Sequence, residues 1–94
     1  NMSTFIATAI KMKNGCAYSN SLLEIDQIYL SNSKDGWYKK AIIHDYVKSN
    51  PKSITVGSNY GPYVIPAISS NGEKYVKSTP NTTTSDNLLS LPRK

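Results

Sequence analysis

Cys16 and the single histidine, His44, are the first candidates for nucleophile and base in this 94-residue sequence. Acid–base and nucleophilic mechanisms need converging groups, including something to orient the base. His44 falls with Lys40 and Lys48 on the polar arc of an expected helix, so it reads as a solvated surface histidine. Cys16 follows Gly15 in a turn and has no partner nearby in the sequence; it reads as an incidental thiol. Glu24 and Asp26 are two apart on an expected strand and share a face. Such a pair can hold a divalent cation or work as acid and base. No third ligand stands near, and a wet sheet face carrying two charges is the plainer account. The stretch "GSNYGP" has glycines but no Gly-Lys-Ser/Thr and no following helix, so it is a turn rather than a phosphate loop. No catalytic, metal or cofactor set is expected.

Tyrosine interleaved with lysine is the more suggestive pattern: "WYKK" at 37–40 and "KYVK" at 74–77, with Tyr60 and Tyr63 nearby. Single-stranded nucleic acids stack bases on aromatics while cations track the backbone. Lys39, Lys40, Lys74, Lys77 and Tyr75 are the residues such a surface would use. The plainer account has the tyrosines filling sheet and helix contacts with their hydroxyls in water. Neither an RNA-binding signature nor a basic stripe accompanies them.

The elements that must position these groups follow from periodicity. "STFIATAIKMK" alternates as a strand, with Phe5, Ala7 and Ala9 on one face and Ile6, Thr8, Ile10 and Met12 on the other. After the Asn14-Gly15 turn, "LLEIDQIYL" reads as a second strand, with Leu23, Ile25 and Tyr29 facing one way and Glu24, Asp26 and Ile28 the other. "WYKKAIIHDYVKSN" changes to a helical period: Tyr38, Ile42, Ile43, Tyr46 and Val47 form its apolar face. Asp35 or Gly36 lies near its start, Trp37 staples that start to the core, and Pro51 bars continuation beyond Asn50. "SITVG", "YVIPAI" and "KYVKST" are three further strands. Pro66 argues for an edge position, and Asn71-Gly72 for a type I′ hairpin. The order is β-β-α-β-β-β: an α+β fold, a small mostly antiparallel sheet with one helix on a face.

Composition bounds the rest. The length makes one domain, 1–94. Val, Ile, Leu and Phe number 20 of 94, giving a folded but thin core, which leaves a homo-oligomer open because association buries surface a monomer leaves wet. One cysteine excludes an internal disulfide framework and suits a reducing, cytoplasmic setting. The opening has no basic and apolar leader pattern, and no apolar run approaches the ~20 residues that span a bilayer, so neither secretion nor membrane insertion is expected. Net charge is +5, spread evenly over ten lysines and one arginine, Arg93. Base-specific DNA readers rely on arginine forks, which makes that role a poor fit.

The tail poses its own question. The core ends at residue 78, and 79–85 is a polar crossing stretch. Residues 86–92, "DNLLSLP", carry three leucines. Asp86 can cap a helical turn that gathers Leu88, Leu89 and Leu91, with Pro92 ending it. Burying each contributes roughly 1.5–3 kcal/mol. The expectation is a leucine latch plugged into the core; the alternative is a docking motif for another protein.

The opening "IATAIKM", the central "GWYKKAIIHDYV" and above all the closing "KYVKSTPNTTTSDNLLSLP" resemble the small bacterial and phage proteins grouped as domain of unknown function 3892. The resemblance covers nearly the whole chain. Tyr46 stands where that family often has Trp, and the arginines usual in its first and last strands are lacking here. What it implies is a small standalone domain of bacterial, phage or prophage origin, with no catalytic residues to carry over.

The reading that follows is a small non-enzymatic interaction domain that binds another protein without a cofactor. Tyr63, Tyr75 and Lys77 are the candidate contact residues, at expected strand edges where a partner could add a strand or dock on aromatic anchors. Weak, sequence-nonspecific binding of single-stranded nucleic acid is the alternative.

Overall fold

The structure, a computed structural model, describes residues 5–79 and 86–94. Strands β1 (Phe5–Met12), β2 (Ile25–Leu30), β3 (Trp37–Lys39) and β4 (Ile54–Val56) form one sheet in the order β3-β2-β1-β4. β1 and β4 are parallel; the other pairs are antiparallel. Strands β5 (Val64–Ile68) and β6 (Lys74–Ser78) form a separate antiparallel hairpin. Helix α1 (Lys40–Ser49) packs against the hairpin and against β2 and β3. The class is α+β and mostly antiparallel, as the sequence order implies. A strand at Trp37–Lys39 is additional, and the strands divide between two sheets.

Two bulges reset the strand faces. Ala7 pairs with Leu30 and Ala9 with Tyr29, so Thr8 is an extra residue on β1. An extra residue flips every later side chain to the other face. Phe5 and Ala7 therefore join Ile10 and Met12 in one core, which strict alternation had separated. Likewise Lys11 pairs with Gln27 and Met12 with Ile25, leaving Asp26 extra on β2. Ile25 and Ile28 are both buried as a result. Glu24 and Asp26 do not share a strand face: Glu24 ends the short 3-10 turn Leu22–Glu24, and Asp26 is the bulged residue.

The helix also differs from its expected outline. Trp37 and Tyr38 pair with Tyr29 and Ile28 as strand β3, so Trp37 is a sheet residue and not a staple. α1 begins only at Lys40, with Lys39 as an N-cap that makes no side-chain bond. Its buried face is Lys40, Ile43, His44 and Val47, at the i, i+3, i+4, i+7 spacing of one helical stripe. His44 is 2 % exposed, whereas Ile42 is 57 % and Tyr46 40 % exposed. The stripe is rotated because α1 must cover both the sheet and the hairpin, and the hairpin lies over the arc that carries Lys40 and His44.

In the hairpin, Thr79 N–H donates to the Tyr63 carbonyl and Ser69 N–H to the Glu73 carbonyl. The odd-numbered residues of β5 thus occupy the hydrogen-bonded pairs, and Pro66 opposite Val76 does not. The missing proline N–H costs the hairpin no bond, consistent with an edge position. The turn is not type I′: Asn71 has no positive φ, while Gly72 has φ +85°, and Gly72 N–H bonds to Ser69 O. This is a three-residue loop with glycine in the left-handed position.

Beyond the turn Asn87–Ser90, Ile10 N–H donates to Pro92 O and Lys94 N–H to Ile10 O, each at 2.9 Å. The end of the chain thus pairs parallel with β1 past the point where β4 leaves it. Asp86 accepts from Leu88 N–H at 2.8 Å, and from Ser78 N–H and hydroxyl at 2.9 and 3.0 Å, joining the turn to β6. Leu88 is fully buried, and Leu89 and Leu91 pack against the core. The Arg93 guanidinium reaches the carbonyls of Ala17, Ser19 and Leu89. Of the polar stretch expected to cross the surface, 79–85, all but Thr79 lies outside the described residues.

Candidate functional site

The lysines singled out from the sequence are mostly committed to carboxylates. Lys39 Nζ lies 3.2 Å from both oxygens of Asp26. Lys40, 7 % exposed, reaches Glu73 Oε2 at 2.6 Å and the Leu23 carbonyl at 2.7 Å; Lys13 holds the same Glu73 oxygen at 3.1 Å. Lys74 bonds Asp45, whose Oδ1 also lies 2.9 Å from His44 Nδ1. These pairs tie α1 to the hairpin and to the end of β1. Their effect on the acids is consistent. Lys40 and then Lys13 hold the Glu73 carboxyl below its ordinary value. His44 and then Lys74 do the same for Asp45. Burial pushes Asp26 up, but Lys39 and Gln27 outweigh it and the net direction is down. Sequence reasoning missed this network because its lysines lie far along the chain from their carboxylates; Glu73 is 60 residues from Lys13 and Asp45 is 29 from Lys74.

Tyr63, Tyr75 and Lys77 do come to one surface. The hairpin register is regular, so these odd positions share a face with Ile65 and Ala67, while Val64, Val76 and Ser78 point into the protein. Tyr63 is 38 % exposed, Lys77 is exposed and Tyr75 is half-buried. Strand addition along the outer edge of β5 is blunted, because Pro66 removes a donor there. Side-chain docking is left open.

A surface that sequence patterning did not reveal lies beside α1. An apolar cleft of about 140 Å³ is lined by Phe5, Leu30, Tyr38, Ile43 and Ile54, with Ile42 and Tyr46 beside them. The Phe5 and Tyr46 rings meet edge to face at 5.9 Å. Ile42 and Tyr46 are i, i+4 neighbours, so both project from the same side of the helix. The only sequence signal was an apolar helix face too wide for one packing contact.

Cys16 and Glu24 are neighbours, yet the pairing opposes nucleophilic chemistry. Partial burial and then the Glu24 carboxylate push the Cys16 thiol up. Glu24 in turn accepts from the Ser19 hydroxyl, which with Cys16 holds the carboxyl low. A thiol held protonated is a poor nucleophile. Among the described residues no group of three His, Cys, Asp or Glu side chains could hold a metal ion, and no helix is long and apolar enough to cross a membrane.

What fold and surfaces define is a small α+β domain whose polar groups largely serve one another and whose large apolar side chains reach solvent in particular places. The chain belongs to the family described as Protein of unknown function (DUF3892), whose model matches residues 7–92. No curated protein and no solved structure matches it.

Proposed function

We propose that this protein is a non-enzymatic recognition domain that binds another protein by side-chain docking. The observation that carries the reading is the cleft beside α1, where Ile42 and Tyr46 stand more than a third exposed around an apolar hollow. Large apolar residues held in solvent by a rigid helix act as anchors, and aromatic anchors beside a pocket dominate many interfaces. The partner supplies an apolar side chain to the cleft. The hairpin face of Tyr63, Tyr75 and Lys77 is the second place where it could make contact. The non-enzymatic reading draws on the raised thiol of Cys16 and on the burial of His44 against Asp45. A reducing cytoplasm, in a bacterial or phage setting, suits the free thiol.

The test is recovery of a partner from the native host with the wild-type chain and with Ile42→Glu, after nuclease treatment. A nuclease-resistant protein that Ile42→Glu loses, and that direct titration of the purified pair confirms, supports the reading. Equal recovery by both chains, or loss of the catch to nuclease, overturns it.

A further inference from the structure

The open face of the four-stranded sheet carries an arrangement that protein docking at α1 does not use. Ile28 and Tyr38 pair on the core side, so their neighbours Tyr29 and Trp37 pair on the opposite side. The register extends this into two cross-strand rows. One runs Ala9, Tyr29, Trp37, and the other Lys11, Gln27, Lys39. The Tyr29 and Trp37 rings meet edge to face at 5.3 Å, and Lys11 Nζ sits 4.7 Å over the Trp37 ring. Beside them, an open groove of about 590 Å³ is lined by Thr8, Ala9, Pro92 and Lys94 as well as Lys11 and the two rings. Lys11 and Lys94 make no ion pair among the described residues, whereas the Lys39 ammonium is held by Asp26 in the hollow beside Lys40 and Lys74. An aromatic row alongside a cationic row, on a sheet face with a groove, suits a chain that offers planar rings at one level and negative charge at another.

We infer that this face binds single-stranded nucleic acid, with bases stacking on Trp37 and Tyr29 while Lys11 and Lys94 meet the phosphates. The cation over Trp37 is held weakly, as exposed cation–π contacts are. A base can take its place on the ring and the freed ammonium can move to the backbone. Stacking is tolerant of sequence because every base has a π-face, so little base preference is expected. The site differs from the one the tyrosine–lysine motifs suggested: Lys39, Lys40, Lys74, Lys77 and Tyr75 do not line this groove.

Trp37 is the sole tryptophan and stands inside the proposed site, so its emission reports occupancy directly. The experiment titrates the full chain with a short oligothymidylate, following Trp37 quenching and the anisotropy of a labelled strand across a salt series. Saturable quenching is expected. Two phosphate contacts give a slope of log affinity on log salt of roughly −1.4. Lys11→Ala lowers that slope by about 0.7. Tyr29→Ala weakens binding at least about 5-fold. Lys77→Ala, on the hairpin, leaves binding unchanged, and circular dichroism confirms that each variant is folded. Three results overturn the inference: no quenching at low salt, duplex DNA bound as tightly as the single strand, or Lys77→Ala weakening binding as much as Lys11→Ala. A partner protein that protects this face while oligothymidylate does not bind overturns it as well.

Discussion

Replacing Leu88 with alanine tests whether the C-terminal turn is part of the folded core. Leu88 is fully buried, in one cluster with Ile10, Ile25, Ile43, Val64 and Val76. The substitution removes three carbon groups, each contributing about 0.8 kcal/mol on burial, so the transfer loss alone is about 2.4 kcal/mol. The void adds to this to the extent that the surroundings fail to collapse, and buried Leu→Ala changes span about 2–5 kcal/mol. Collapse is hindered here, because Asp86 fixes the turn to Ser78 and the chain end is paired to Ile10. A cost of about 3–4 kcal/mol follows. For a domain of this size each kcal/mol lowers Tm by about 4–8 °C, so the transition falls by roughly 12–32 °C. Urea denaturation, followed by Trp37 fluorescence and by far-ultraviolet circular dichroism, measures it; coincidence of the two curves checks the two-state assumption. Leu89→Ala, at a half-buried position, costs less. A loss below about 1 kcal/mol for Leu88→Ala, or one no larger than for Leu89→Ala, would refute the packing argument.

Three other outcomes are expected. A Cβ at Gly61 would lie 1.9 Å from the Val56 carbonyl oxygen, so Gly61→Ala must shift backbone and costs on the order of 1–3 kcal/mol by thermal denaturation. Glu73 is held below its ordinary value of 4.5 by Lys40 and Lys13. Its contribution is therefore complete above that value and is lost as pH falls through the lowered folded one; stability measured against pH shows a shallower acid decline in Glu73→Gln, and an unchanged decline refutes the network's role. On α1, Ile43→Ala costs about 2–5 kcal/mol whereas Ile42→Ser stays within about 0.5 kcal/mol, a contrast that the opposite orientation of the helix would reverse.

Local signals in the sequence fixed several elements directly. The apolar period within 37–50 with Pro51 beyond it placed the helix and its C-terminal end, though neither its start nor its inward face, because period and proline act within a turn of chain. Pro66 marked an edge for the same reason, since the missing N–H belongs to the residue itself. Asp86 two residues before Leu88 marked a cap, and the cap is made. The α+β class followed from the order of these segments. Only tertiary structure decided the rest. The bulges at Thr8 and Asp26 choose which side chains face inward, and a bulge depends on the register against another strand. Trp37–Lys39 joins the sheet because β2 offers it an edge. His44 and Lys40 are buried because the hairpin, contributed by residues 64–78, closes over that side of α1 and supplies Glu73 and Val76. The same closure leaves Ile42 and Tyr46 in solvent, and the same register aligns Trp37, Tyr29 and Lys11 on one face. Propensity acts within a few residues, while faces, pairs and grooves depend on which distant segments the fold brings side by side.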